Sequence, residues 1–348
     1  MQDLTKRTDE GTEPVRADLI SRARAGDSEA FRALTEPHRR ELHVHCYRML
    51  GSFQDAEDVL QDALLSAWQS IEGFEERSSI RTWLYRIATH RCLNAIRSTS
   101  RRSAKEWSIP GVEPPEPTRL GEVVWLEPYP DAFLEDAIGV PLGQEARYEQ
   151  TESISLAFVT ALQILPPRQL AVLILRDVLG FSASEVAEML DSTLESANSA
   201  LKRARISLQQ RLSPVDRYAP PPASGSSSEN AIVAKFVRAY EASDLDALVA
   251  LLTDDVFVSM PPMALEYEGR DIVGRFCAGI FGGGRRFDLV STRANGQPAF
   301  ATYLHTPAGI RRGTGLIVLA LTDDRICAMT RFESSVLPWF GLPLSLPT

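Results

Sequence analysis

The sequence predicts a multidomain fold in which two all-α domains precede one α+β domain. Three observations predict it. A chain of 348 residues is longer than one hydrophobic core usually fills, because single cores rarely grow past about 250 residues. Up to residue 212 the apolar residues recur at helical spacing, whereas beyond residue 255 they mostly form short runs separated by turn dipeptides. Between these blocks, residues 100–150 and 213–229 have compositions that suit neither helix nor strand.

Taken in order, residues 1 to 15 are polar and predict a frayed start. Short helices are expected at 18–24 and 28–35, the latter with Ala30, Phe31 and Leu34 on one side. A longer helix at 37–50 follows, ended at Gly51 by a left-handed cap. In 56–68, Ala56, Val59, Leu60, Ala63, Leu64 and Ala67 form one buried stripe, which turns Asp58, Gln61, Asp62 and Leu65 outward together. Two carboxylates, an amide and a stranded leucine suit a docking face for a protein partner, and equally a merely solvated acidic face.

The next helix, 80–97, is expected to bury Ile80, Leu84, Ile87, Ala88 and Ala95, with Arg91 falling inside that stripe. Trp83, Arg86, His90, Asn94 and Arg97 share another face. Arginine neutralises phosphate, tryptophan offers a plane for an unstacked base, and asparagine pairs with a base edge, so this face suits nucleic acid. For Trp83 alone, packing against a neighbouring core is an equal alternative. These elements complete a first domain at 16–99.

Residues 100–150 read as a proline-rich acidic linker. Its WLEPYPD stretch, Trp125 to Asp131, is unusually aromatic for a spacer: either it packs on a neighbouring domain or it occupies a basic channel. Helices resume at 151, break at Pro166 and Pro167, and continue at 168–179. Ser182 with Glu185 and Ser192 with Glu195 read as two capping boxes, joined by a tight turn at Asp191, which makes a helix-turn-helix within 151–212. Its second helix is expected to bury Leu194, Ala197, Leu201, Ala204 and Leu208. Ser196, Ser199, Lys202 and Arg203 then face outward, flanked by Asn198 and Arg205, so that small polar groups read bases and later cations hold phosphate.

After a flexible tether at 213–229, the last domain, 230–340, begins with helices at 230–242 and 245–252 and a strand at 256–260. A helix near Asp271 and strands at 287–293, 299–306, 315–321 and 326–332 complete it, with Asn295-Gly296 and Asp323-Asp324 as turns.

Composition bounds the chemistry. A net charge of -9 argues against nonspecific coating of nucleic acid, so DNA binding must rest on local patches or on a partner. Cys46, Cys92, Cys277 and Cys327 lie far apart without CxxC spacing, and His43, His45 and Cys46 are too few to hold a zinc ion; no metal or cofactor is expected. The polar N-terminus and the lack of a run of about 18 apolar residues predict a cytoplasmic protein with no membrane partner.

The run DAEDVLQDALLSAWQSIEGFEERSSIRTWLYRIATHRCLNAIRS closely resembles region 2 of the extracytoplasmic-function (ECF) sigma factors of the sigma-70 family. EVAEMLDSTLESANSALKRAR resembles region 4 of the same family, with Asn198 and Ala200 standing where basic residues are common. The order of the last domain and its YEGRDIVGRF run resemble the SnoaL-like branch of the NTF2-like cone fold, which a subfamily of these sigma factors carries at its C-terminus.

The resemblance implies a sigma region 2 helical bundle, a sigma region 4 helix-turn-helix and an NTF2-like cone domain. It also implies that Asp58, Gln61, Asp62 and Leu65 dock on core RNA polymerase. Trp83, Arg86, His90, Asn94 and Arg97 would bind the melted minus-ten element of promoter DNA, with the loop 74–79 taking a flipped base. Ser196, Asn198, Ser199, Lys202, Arg203 and Arg205 would bind the minus-thirty-five element. The expected protein is no enzyme: a sigma factor modulated by its last domain, through a small-molecule ligand or an intramolecular contact. Two other readings are a polymerase-independent helix-turn-helix regulator and a pocket enzyme using Asp255, Asp288 or His305.

Overall fold

The computed structural model describes residues 12–98, 114–121, 125–135, 153–212 and 220–347. The chain divides into two compact units, the first holding 12–98 and 162–208 among the described residues and the second holding the rest.

In the first unit, α1 (Thr12–Arg24), α2 (Ser28–Leu50), α3 (Phe53–Ser70) and α4 (Ile80–Ser98) pack into a bundle. Asp27 caps α2 by accepting from the amides of Glu29 and Ala30, and Gly51 closes it at φ 71°, a conformation that is costly for a residue with a Cβ. The separate helices expected at 28–35 and 37–50 are one helix. Pro37 deletes a single backbone donor, and the packing of α2 against α1, α3 and α4 keeps the two halves continuous. Leu42, Cys46, Tyr47, Met49, Leu60, Leu84, Tyr85, Ala88 and Cys92 lie in its core.

The stripe of α3 is buried as expected at Ala56, Val59, Leu60, Ala63 and Ala67. That of α4 is rotated. Tyr85, Thr89, Cys92 and Leu93 join Ile80, Leu84 and Ala88 inside, while Ile87 and Ala95 are only partly covered. Arg91, expected in the stripe, is exposed and donates to Ser66 Oγ at 2.5 Å.

A helical region follows. After β1 (Arg119–Leu120) and α5 (Ala132–Glu135), both belonging to the second unit, come α6 (Leu156–Leu162) and α7 (Pro167–Leu173), which runs into a π-helical turn, Ile174–Val178. The helix-turn-helix is α8 (Ala183–Met189) and α9 (Leu194–Leu212). The capping box of Ser182 with Glu185 is present in both directions. The second box is not formed. Asp191 takes a left-handed turn at φ 47°, Ser192 Oγ donates back to the Ala187 carbonyl, and Thr193 Oγ1 caps the helix by accepting from Ser196 N at 3.1 Å. This one-residue shift leaves Leu194 exposed, against expectation, while Ala197, Ala200, Leu201 and Ala204 are buried.

The second unit is an α+β layer. Helices α10 (Ser227–Glu241), α11 (Leu245–Ala250) and α12 (Arg270–Phe281) accompany strands β2 (Leu252–Met260), β3 (Met263–Glu268), β4 (Phe287–Ala294), β5 (Gln297–His305), β6 (Arg311–Thr322), β7 (Arg325–Phe332) and β8 (Ser345–Leu346). The order β1-β3-β2-β7-β6-β5-β4, with β8 on β6, is antiparallel except for β2 beside β7. Phe236, Tyr240, Leu248, Phe276 and Ile280 of the helices share one apolar core with Val258, Phe300, Ile317 and Met329 of the sheet. The turns at Asn295-Gly296 and at Asp323 carry the positive φ expected of them.

Three strands were not expected. β8 pairs with β6. β3 forms a hairpin with β2, and β1 comes from the proline-rich linker and pairs antiparallel with β3, placing Arg119 opposite Glu266.

Candidate nucleic-acid interface

On α3, Asp58, Gln61, Asp62 and Leu65 are all exposed, with Leu65 at 55% relative exposure despite its apolar side chain. They stand together because the opposite face of the same helix is consumed by the bundle core. Gln61 is steadied by Glu57, accepting from its Nε2 at 2.9 Å.

On α4, Asn94 and Arg97 are exposed, and Trp83, Arg86 and His90 are half-buried. Trp83 leans on Phe74 with ring centroids 5.0 Å apart, which anchors one side of the indole to the 74–79 loop. Arg86 Nη2 donates to Asp191 Oδ1 at 2.8 Å, and His90 Nε2 donates to the Met189 carbonyl at 2.7 Å. Asp191 lies in the turn of the helix-turn-helix, and Met189 is the last residue of the helix that precedes it. Behind this contact, half-buried Arg81 lies among Glu41 (3.0 Å), the ring of Tyr85 and the ring of Phe181. The α4 face proposed for nucleic acid and the turn that aims α9 are therefore linked by charge.

On α9, Ser196, Asn198, Ser199, Lys202, Arg203 and Arg205 are all exposed. Arg205 is already committed to Asp177, through Nε at 2.8 Å and Nη2 at 2.7 Å. Lys202 and Arg203 point outward near the middle of the helix, and the serines precede them.

The linker lies against the second unit. Thr118 N donates to the Glu266 carbonyl, Gly121 N to the Ala264 carbonyl, and Tyr267 Oη to the Pro115 carbonyl. The hairpin tip between β4 and β5 grips the aromatic strip more tightly. Asn295, fully buried, accepts from Tyr129 N through Oδ1 at 2.8 Å, donates through its own N–H to the Tyr129 carbonyl, and donates through Nδ2 to the Ile154 carbonyl at 2.7 Å. Asp131 accepts from Gly296 N, and Arg293 lies between Asp131 and the buried carboxylate of Glu229. Of the two readings of WLEPYPD, packing on a neighbouring domain is the one observed. Asn295 was read only as a turn marker; its second role was not visible because its partners lie 141 and 166 residues away.

The carboxylates and histidine considered for pocket chemistry do not line the interior cavity. Asp255 is exposed, and Asp288 accepts from His305 Nε2 and Arg311 Nη1, both at 2.8 Å, on the outer surface. Among the described residues no cluster of three or more metal-type ligands exists and no helix is long and apolar enough to cross a membrane.

Comparison with known proteins bears on these faces. The sequence matches Sigma-70 region 2 over residues 34–102, Sigma-70 region 4 over 155–208 and a SnoaL-like domain over 233–329. It is 42% identical to the ECF RNA polymerase sigma factor SigG of Mycobacterium tuberculosis over 331 residues, covering 93% of this chain and 86% of that protein. The chain belongs to the ECF RNA polymerase sigma factors.

Another ECF sigma factor, SigJ of Mycobacterium tuberculosis, is 27% identical over 84% of this chain and 88% of its own length. The crystal structure of SigJ superposes with a TM-score of 0.55 at 23% identity, covering 91% of this chain and all of that one, so the fold is shared. The match to SigG spans both helical regions and the C-terminal domain, which makes the last domain part of the family resemblance rather than an appendage to it.

Proposed function

We propose that this sigma factor docks on core RNA polymerase through Asp58, Gln61, Asp62 and Leu65, reads the minus-ten element with the α4 face and reads the minus-thirty-five element with α9. The observation that carries the reading is the exposure of an acidic, leucine-bearing strip on α3 together with an α4 face on which Asn94 and Arg97 are exposed beside half-buried Trp83, Arg86 and His90. A regulator that binds only duplex DNA has no use for either strip.

The net charge of -9 fits this division of labour, since core polymerase would supply the positive field that holds DNA. Arg86 and His90 serve the turn of the helix-turn-helix in the arrangement described, so promoter capture requires exchanging that contact for DNA phosphate. The C-terminal domain modulates the exchange by holding the linker at Tyr129 and Asp131. Asp255, Asp288 and His305 are not among the residues that line the cavity of that domain. The protein acts in the cytoplasm, where its partners are.

Binding of the full chain to purified core polymerase tests the docking assignment. Alanine at both Asp58 and Asp62 is expected to weaken binding at least tenfold with an unchanged melting temperature, as loss of charge-assisted contacts implies. Unchanged affinity would remove the α3 face from the interface.

A further inference from the structure

The loop 74–79 between α3 and α4 is fixed at both ends. At its far end Ser79 caps α4, accepting from Thr82 N through Oγ at 3.0 Å. At its near end Phe74 is buried, with its ring against Trp83. Between these points Glu75, Glu76 and Arg77 are exposed and Ser78 is half-buried, so the loop is an arch open to solvent.

The near end has a second support, and it comes from α1. Ile20, Ala23 and Arg24 fall on one face of that helix at i, i+3 and i+4. Ile20 and Ala23 are buried, so the same face turns half-buried Arg24 toward the bundle. Its Nη2 donates to the Phe74 carbonyl and stands 3.0 Å from Glu76 Oε1. An ion pair this open to water holds little by itself. A guanidinium that also takes a main-chain carbonyl two residues earlier fixes the path of the backbone as well as one carboxylate.

Glu76 stands at φ 57°, a conformation that residues with a Cβ seldom adopt and that persists only where the surroundings hold it. The charges of the arch are also matched. Glu75 pairs with Arg77 at 2.8 Å and Glu76 with Arg24, so both carboxylates are compensated on a face meant for an anionic polymer. Arg24 precedes the segment matched to Sigma-70 region 2, which begins at residue 34.

We propose that Arg24 is a positioning residue for base capture: without touching DNA, it holds loop 74–79 in the shape that selects one unstacked base, which makes α1 a determinant of minus-ten specificity. This role rests on the reading that the loop takes up a base of the minus-ten element.

The test assembles the full chain with purified core polymerase and offers it a pool of single-stranded DNA oligonucleotides randomised over a central stretch. Sequencing the bound fraction gives the ratio of best to worst base at each position, from which any uniform change in affinity cancels. Arg77→Ala with Ser78→Ala identifies the position that the loop serves. Arg24→Met is expected to bring the ratio there from roughly tenfold to near one, the loss of about one well-formed hydrogen bond, and to spare the other positions. Arg24→Lys, which restores the charge and a donor, is expected to recover part of it. Glu76→Ala leaves α1 and the bundle intact, is expected to lower the same ratio, and decides the matter if Arg24→Met does not fold.

If no position responds to Arg77→Ala with Ser78→Ala, the loop reads no base, and the reading falls together with the role of Arg24. A ratio that responds to that pair but survives Arg24→Met, or Glu76→Ala where that variant decides, overturns the role of Arg24 alone. An equal fall at every position, or no recovery with Arg24→Lys, does the same.

Discussion

Arg86 of α4 and Asp191 in the turn of the helix-turn-helix, 105 residues apart in sequence, form an ion pair of 2.8 Å. The cation assigned to the minus-ten element is therefore neutralised by the segment that positions the minus-thirty-five reader. An exposed pair of this kind contributes only about 0.2–1 kcal/mol, so it biases rather than locks the arrangement.

Asp191→Asn should release Arg86 and raise the affinity of the full chain for a single-stranded minus-ten oligonucleotide, by up to about fivefold for ~1 kcal/mol. Fluorescence anisotropy at low salt measures this. Glu195→Gln, which removes the same charge from α9 without touching Arg86, should give a smaller change; equal effects from both variants would mean that only net charge is being read.

The grip of Asn295 on the linker predicts a local effect. Asn295→Gly keeps the left-handed turn but deprives Tyr129 N–H and the Ile154 carbonyl of buried partners. Each unsatisfied group costs about 1–3 kcal/mol. Amide exchange and proteolysis within 125–131 should accelerate first, ahead of the sheet core; protection that is unchanged there would remove Asn295 as the clamp.

A dependence of stability on pH follows from two histidines of α2. Burial lowers the pKa of His45 to about 3 and that of His43 to about 4, from an ordinary 6.5. His45 also spends Nε2 on Thr89 Oγ1 at 2.9 Å. The unfolded chain gains protons below about pH 6.5 while the fold refuses them, so stability is full above that pH and falls as pH drops, by up to about 1.4 kcal/mol per unit for each histidine. Urea denaturation between pH 7.5 and 5 should show this loss, and His45→Gln should flatten part of it; a slope identical in both proteins would show that His45 does not take part.

Much of this was legible because an amphipathic helix declares its exposed side by declaring its buried one. Asp58, Gln61, Asp62 and Leu65 followed from the single stripe of α3, which faces one core. The α4 stripe was read less well, and Arg91 was wrongly placed inside, because a helix with neighbours on more than one side buries a wider arc than one i, i+4 line describes. The cap at Thr193 was missed in favour of Ser192 because both residues can cap and only the left-handed Asp191 decides between them. β3 mixes polar and apolar residues and earns its strand from β2 and the linker strand, neither of which local pattern reveals.

Run-off transcription with purified core polymerase and a pool of promoter fragments tests the central claim most directly. The full chain should give discrete transcripts that core alone does not, and Asp58→Ala with Asp62→Ala should reduce them in proportion to lost core binding. Transcripts no different from those of core alone, together with no binding of the chain to core, would contradict the account.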